Sequence, residues 1–437
     1  MVHTNIARNQ ITIEIDSLPT SLNPLITTDY TSRYICSAIY EGLRNNYNCS
    51  IVTNDFINFV VKISQNYLGN AFELFDGLMF HLNSENKSVF ARQLFSVKNA
   101  MSYYKGESSE DNVGIVIIDA DTLLIKLSYP CEFFISVLES NYIIPIRDEK
   151  PIETGPYKLS GQTSETIELT RNNFYCSDNL RPIHTIVFKL NNKIENSLYL
   201  FENGLVDITC HTQFLHTNMY LAKSNIYNEV YSSLMYTLYI NDSDLKEIIR
   251  SELDRSKISN QIREIVTPLY TLTGSLDYKL EHNDITVRPD MNNMNKEITV
   301  AYADFYPNNL IVNSITTLLE DLGFKVSLTI FSDFGDYMKI DVRKFDVSLH
   351  LSFPLYLHGS SYVKAFILDI AQDSKRQETI TALNEGNVLK LNQLLQSTEH
   401  YVPLFLGKSI YLSKTKIEGY VLNASGYLSL ENLKYSE

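Results

Sequence analysis

Nine histidines and five cysteines are the groups in this 437-residue chain best suited to metal binding or nucleophilic chemistry. Their spacing decides what they can do. Cys36, Cys49, Cys131, Cys176 and Cys210 are odd in number, lie far apart and contain no CxxC pair. That pattern predicts neither a zinc site nor a disulfide framework, and five thiols suit a reducing compartment. His350 and His358 stand eight residues apart, and His211 and His216 five apart. Imidazoles at such positions can ligate nickel or a chelate. No HExxH or paired histidine–carboxylate motif supports it, so no metal is expected. There is also no GxSxG elbow and no cysteine-centred motif, and the carboxylates lack catalytic spacing. The expectation is a non-enzyme without a cofactor.

The remaining chemistry is that of recognition. A formal charge of −14 argues against nucleic-acid binding, which needs clustered Lys and Arg. No apolar run approaches the roughly 18 residues of a membrane span. The first ten residues lack the apolar core of a secretory signal. The chain is therefore expected to be cytoplasmic if Met1 is the native start, and otherwise periplasmic or lipid-anchored. Tryptophan is absent, while Tyr reaches 29 and Phe 21. Tyrosine offers an apolar face with a polar tip, which suits a ligand cleft.

The elements that must position these groups alternate between strand and helix. Residues 11–15 alternate with period two and read as a strand. Tyr30 to Leu43 carries apolar residues at helical spacing. Residues 56–63 and 71–82 read as a strand pair, 119–127 as a strand and 133–138 as a short helix. After 183–190, a strand, comes a helix over 195–202, closed by Asn203-Gly204 before a strand at 205–208. Residues 245–262 read as one helix and 280–296 as a polar loop. Ile298 to Tyr302, a helix capped by Asn308 or Asn309, Gly323 and the strand from Lys325 to Ile330 form a βαβ unit. Residues 345–351 add a strand, and helical spacing returns over 388–395. The fold class is α/β.

One stretch carries more information than the others. Glu153-Thr154-Gly155-Pro156-Tyr157 is a tight turn feeding a strand, and a second strand ends in Arg171-Asn172 and Tyr175. This segment resembles the "GTGPY…RN..Y" hairpin of the family 5 solute-binding proteins, the peptide and nickel receptors of bacterial ABC importers. Other pieces resemble that family in the same order: Ser21 to Leu25, Ala38 to Leu43, Phe72 to Phe80 as a compressed hairpin, Phe95 to Ala100, Gly204 to Ile208, Ile249 to Ile258, Glu297 to Ile330 and Val402 to Leu404.

The resemblance implies a two-lobed, periplasmic-binding-protein-like (class II) fold with an extra subdomain. The implied division is lobe I at 1–42, an inserted subdomain at 43–151, lobe I again at 152–235, lobe II at 236–405, and a last lobe I segment at 406–437. A peptide or other small polar solute would bind between lobes that close on it by a hinge. Asn23, Tyr236, Tyr239, His350, Phe353 and Tyr356 are the expected ligand contacts. The partner would be an importer permease. Peptide-binding members carry an acid that pairs with the ligand's α-amino group, and Leu355 stands at that place here. The stretch from Phe345 to Phe366, with Val402 to Leu404 and Leu422 to Tyr427, resembles instead the C-terminal half of SgrR-type regulators. That likeness implies an alternative: a cytoplasmic effector-sensing domain partnered with a DNA-binding regulator domain that responds to sugar phosphates.

Overall fold

The computed structural model describes residues 9–27, 29–175, 183–212, 226–262, 265–274, 296–332, 337, 340–356, 358, 360–367, 370, 373–385, 387–396, 400–423 and 427–436. They fall into two compact units. Unit 1 comprises Met1–Val230, Leu355–His358 and Ile410–Glu437, and unit 2 comprises Tyr231–Pro354 and Gly359–Ser409.

Unit 1 contains two four-stranded sheets. The strands of the first are β1 (Gln10–Ile15), β6 (Tyr157–Gln162), β7 (Thr166–Arg171) and β8 (Thr185–Leu190), in the order β1-β8-β7-β6. β1 runs parallel to β8, with Ile11 opposite Ile186 and Ile13 opposite Phe188, and all four side chains are buried. Removing a side chain such as Phe188 from water contributes about 2–3 kcal/mol. Helix α1 (Tyr30–Ile39) packs its Tyr34, Ile35, Ala38 and Ile39 into the same core. Asp29 caps it by accepting the backbone N–H of Ser32.

The second sheet has the order β2-β3-β5-β4 and is antiparallel throughout: β2 (Cys49–Val52), β3 (Asn58–Ile63), β4 (Ile115–Asp119) and β5 (Thr122–Lys126). Between β3 and β4 the structure corrects two sequence expectations. Residues 71–82 are not a strand, and Phe72 to Phe80 is not a compressed hairpin. They form the helix α2 (Ala71–Leu82). Asn70 and Glu73 close a capping box, each side chain bonding the other's backbone N–H. Ala71, Leu74, Leu78 and Leu82 are fully buried at a spacing of three and four, the helical period that the even-numbered apolar residues Phe72, Leu74, Leu78 and Phe80 obscured. A third correction concerns 205–208, where only Ile208 bridges its neighbours, Ile13 and Ser413, and no strand forms. The helix Ser197–Glu202 ends as expected, with Gly204 in the left-handed region.

Unit 2 is built on a six-stranded mixed sheet of order β10-β14-β9-β13-β11-β12. These strands are β9 (Tyr227–Ile240), β10 (Val266–Pro268), β11 (Glu297–Ala303), β12 (Lys325–Phe331), β13 (Val347–Ser352) and β14 (Tyr401–Leu412). The βαβ unit is β11, a helix at Asn308–Asp321, and β12 in parallel register from Glu297–Lys325 to Ala303–Phe331. Neither Asn308 nor Asn309 caps that helix. Pro307 holds the cap position, while Asn308 is buried and donates to the Ala303 carbonyl, tying the helix start to the strand end. The expected helix over 245–262 is two helices, Ser243–Glu252 and Arg255–Gln261. Asp254 breaks it by accepting the N–H of Lys257, because a side-chain carboxylate at an N-cap restarts the ladder. Asp346 accepts from both the N–H and the hydroxyl of Thr299, pinning β13 to β11. The expected polar loop over 280–296 lies outside the described residues, apart from Lys296.

Candidate functional site

In unit 1 a cavity of about 310 Å³ opens at the end of helix α1, within the size range of small-ligand pockets. The chain reaches it from three directions. Glu41 and Arg44 follow α1, Ser140 and Asn141 follow the short helix Phe134–Leu138, and Tyr427 to Glu431 return from the C-terminal segment. Pro156 and Tyr175 from the Gly-Pro hairpin complete the wall, with Tyr356.

Two glycines allow this convergence. A Cβ on Gly155 would lie 2.7 Å from the Ile39 carbonyl group, and the Gly155 N–H donates to that same oxygen. A Cβ on Gly42 would lie 2.4 Å from the Ser140 carbonyl oxygen. Asn172 then locks the hairpin by donating its side-chain N–H groups to the carbonyls of Glu153 and Gly155. The motif that stood out in the sequence is thus held by backbone contacts, yet two of its residues face the cavity.

The polar wall is a charge network. Arg44 Nη1 donates to Glu41 Oε1 at 2.8 Å and to Glu431 Oε2 at 3.0 Å. Tyr175 donates its hydroxyl to Glu41 and Tyr47 donates its own to Glu431. Glu139 accepts the N–H of Asn45. Three carboxylates therefore face one guanidinium among the lining residues. Burial raises the Glu41 carboxyl above the usual range, opposed by the bonds from Arg44 and Tyr175. A group carrying positive charge is what such a wall favours. Beside it, the Leu355 carbonyl accepts from Ser140 Oγ at 2.6 Å and from the Tyr427 hydroxyl at 3.2 Å.

The six residues singled out in the sequence divide between the units. Tyr356 is buried and lines the unit 1 cavity. Asn23, also in unit 1, uses its side-chain oxygen to accept the N–H of Leu25 in its own turn. The other four are in unit 2. Tyr236 is opposite Leu351 in the ladder and buried at 1 % exposure, on the sheet face away from Tyr239 and His350. Phe353 is half-buried. Tyr239 and His350 share one face, their rings 6.4 Å apart, with His400 and Tyr401 against Tyr239 at 5.1 and 5.3 Å.

That face holds an anomaly. Thr237 lies directly opposite His350, and Ser348 is two residues along from it. Thr237 Oγ1, Ser348 Oγ and His350 Nε2 are all buried without a hydrogen-bond partner. Burial lowers the His350 imidazole to about 4, so it is neutral near pH 7. Unpaired buried polar atoms are costly, and three on one sheet face mark a place short of partners.

The other described histidines have structural partners. His211 packs between Tyr30 and Tyr34, with Nε2 2.6 Å from the Tyr30 hydroxyl. His358 stacks on Phe133. Cys36, Cys49, Cys131 and Cys210 are buried and form no disulfide among the described residues. Cys176 and His216 lie outside the described residues. Among the described residues no three His, Cys, Asp or Glu converge as a metal site, and no helix is long and apolar enough to cross a membrane.

Sequence reasoning missed Glu41, Arg44, Glu139 and Glu431. A signal existed only for the first pair, three apart at a helix end. Glu431 meets Arg44 across 387 residues, which no local pattern records.

No protein-family profile matches the chain. Among curated proteins, the oligopeptide-binding protein OppA of Bacillus subtilis (strain 168) is 21 % identical over 232 residues. That match covers 46 % of this chain and spans only 42 % of that relative's length. Solved structures match much further. The murein tripeptide binding protein MppA of Escherichia coli aligns with a TM-score of 0.84 at 15 % identity, covering 98 % of this chain and 99 % of that one. OppA of Haemophilus influenzae, in complex with RPPGFSPFR, gives 0.85 at 14 % identity over 98 % and 99 %. The oligopeptide-binding OppAIV of Borrelia burgdorferi gives 0.83 at 17 % identity over 98 % and 100 %. The fold is therefore the two-lobed α/β fold of periplasmic solute-binding proteins.

Proposed function

We propose that this chain is a non-enzymatic solute-binding protein of the family 5 type, that it binds a peptide, and that it works with an ABC-importer permease. The observation that carries the reading is the likeness over 98 % of the chain to proteins whose names specify oligopeptides or a murein tripeptide. The sequence resemblance, found in the same order along the chain, supports it. The regulator-type alternative gains nothing from these relatives. The division of lobe I around an inserted subdomain at 43–151 belongs to the same proposal.

Tyr239, His350, Phe353 and Tyr356 remain the proposed ligand contacts. Asn23 and Tyr236 are better accounted for by their turn and their core position. Glu41 and Glu431 join the proposed set. With Leu355 at the place of the expected acid, the carboxylates of the unit 1 cavity supply the negative charge that a desolvated ammonium needs.

The test is calorimetric titration with short peptides, their N-acetylated forms, and sugar phosphates. Free peptides should bind, N-acetylation should weaken binding about tenfold, and sugar phosphates should not bind. Binding of sugar phosphates without peptides would overturn the reading. Equal affinity for acetylated and free peptides would remove Glu41 and Glu431 from it.

A further inference from the structure

We propose that unit 2 carries a second site, independent of the peptide reading, that takes an oxygen of a small phosphate or carboxylate anion against Arg255 and Arg250. The site is a cleft with room of about 20 Å³, lined by ten residues. Lys246, Arg250 and Arg255 are among those ten and no carboxylate is, in a chain with 51 acidic and 37 basic residues.

Arg255 is the centre of the argument. It is 5 % exposed. Its Nε and Nη2 both donate to the Pro403 carbonyl, at 3.0 and 2.9 Å, and the guanidinium sits 5.1 Å from the Tyr270 ring centre. Among the described residues it meets no carboxylate. A buried cation without an anion is strongly destabilising, and the guanidinium fork is shaped for carboxylate or phosphate oxygens. Arg250 adds like charge. Burial and the Arg250 charge pull the Arg255 guanidinium down to about 10, a strain that an anion relieves. Among the described residues the acid paired with Arg250 is Glu247, 3.6 Å away, and it is shared with Lys246 at 3.2 Å.

The other walls suit an oxyanion as well. Asn392 is buried, and its Oδ1 accepts from the Thr273 hydroxyl at 2.7 Å. That bond leaves Nδ2 as the donor end of the amide. The room equals about one water, since roughly 10–15 Å³ is the minimum for one. It seats one oxygen of the anion, with the remainder at the mouth.

The experiment is calorimetric titration of the full chain with inorganic phosphate and, separately, acetate, against chloride at matched ionic strength. Three proteins are compared: wild type, Arg250→Ala, and Arg343→Ala as a control whose exposed side chain pairs with Asp341. Phosphate or acetate should bind wild type and the control alike, and at least tenfold more weakly to Arg250→Ala. Whichever anion binds names the source. A match between the melting temperatures of Arg250→Ala and wild type in chloride keeps a folding defect apart from a binding defect. If Arg250→Ala unfolds, Arg250→Lys replaces it, with weaker anion binding again expected. The proposal is overturned if neither anion binds beyond the chloride control, if Arg250→Ala binds as wild type does, or if Arg343→Ala loses as much as Arg250→Ala.

Discussion

Two buried polar clusters, one in each unit, are treated in opposite ways. In unit 1, Glu14 is 1 % exposed and all its needs are met: Asn191 Nδ2 and Ser197 Oγ donate to it, and so does the N–H of Cys210. The Arg44 network is likewise closed by Glu41, Glu431 and two tyrosines. In unit 2, Thr237, Ser348 and His350 leave buried atoms unpaired, and Arg255 has a carbonyl where a carboxylate would balance its charge. Satisfied networks rigidify a scaffold, while unsatisfied ones hold free energy that a bound group can release. The contrast lies between these clusters and not between whole units, since Ser96 Oγ, the Tyr142 hydroxyl and Arg171 Nε of unit 1 are also buried without a hydrogen-bond partner.

The sharpest way to break that contrast is Glu14→Ala. It leaves three buried donors unpaired, so unit 1 should lose about 4 kcal/mol, seen in urea unfolding. A loss below 1 kcal/mol would show that Glu14 is not the keystone its contacts indicate.

Acid should also separate the units. His81 and His211 in unit 1 are fully enclosed, and burial lowers them to about 4 and about 3. His350 in unit 2 is lowered to about 4 for the same reason. A histidine depressed below its unfolded value of 6.5 stays neutral in the fold while the unfolded chain takes up the proton. The stability from keeping it neutral is full above pH 6.5 and is lost as pH falls toward 4. At pH 5 each histidine costs at most about 2 kcal/mol. Unit 1, with two, should lose more than unit 2. Amide exchange at β1 and β8 against β11 and β12, at pH 7 and pH 5, reads this directly. Equal loss in both would remove the histidines as the cause.

The smallest effect is the most diagnostic. Thr237→Val removes an unpaired hydroxyl at constant shape and should be neutral or stabilising by up to about 1 kcal/mol. Ser197→Ala in unit 1 removes a hydroxyl that Glu14 uses and should cost about 1–2 kcal/mol. If Thr237→Val instead destabilises the protein, its hydroxyl has a partner in solution and the unit 2 face is not short of one.

Much of the scaffold was legible. β1, α1, β8 and the βαβ unit followed from periodicity, because each buries a face whose spacing is local. The Gly155-Pro156-Tyr157 turn was legible because the Gly155 N–H donates to the Ile39 carbonyl at 2.7 Å and leaves no room for a side chain. Helix α2 was misread because Phe72 and Phe80 flank a run in which alternation and helical spacing overlap. The capping box of Asn70 and Glu73 decides for the helix. Among the candidate site residues, Tyr356 and Tyr239 were visible as aromatics. Their surroundings were not.

What the amino-acid sequence settled by itself is the α/β class, strands β1 and β8, the βαβ unit and the acidic balance of −14, since these depend on composition and on neighbours a few residues apart. The tertiary structure alone decided which charges meet. Arg44 finds Glu431, Glu14 finds Cys210 and Arg255 finds Pro403 at separations of 387, 196 and 148 residues. Such pairs depend on the path of the folded chain, and at Glu14 and Arg255 burial then makes them strong by removing the water that would screen them.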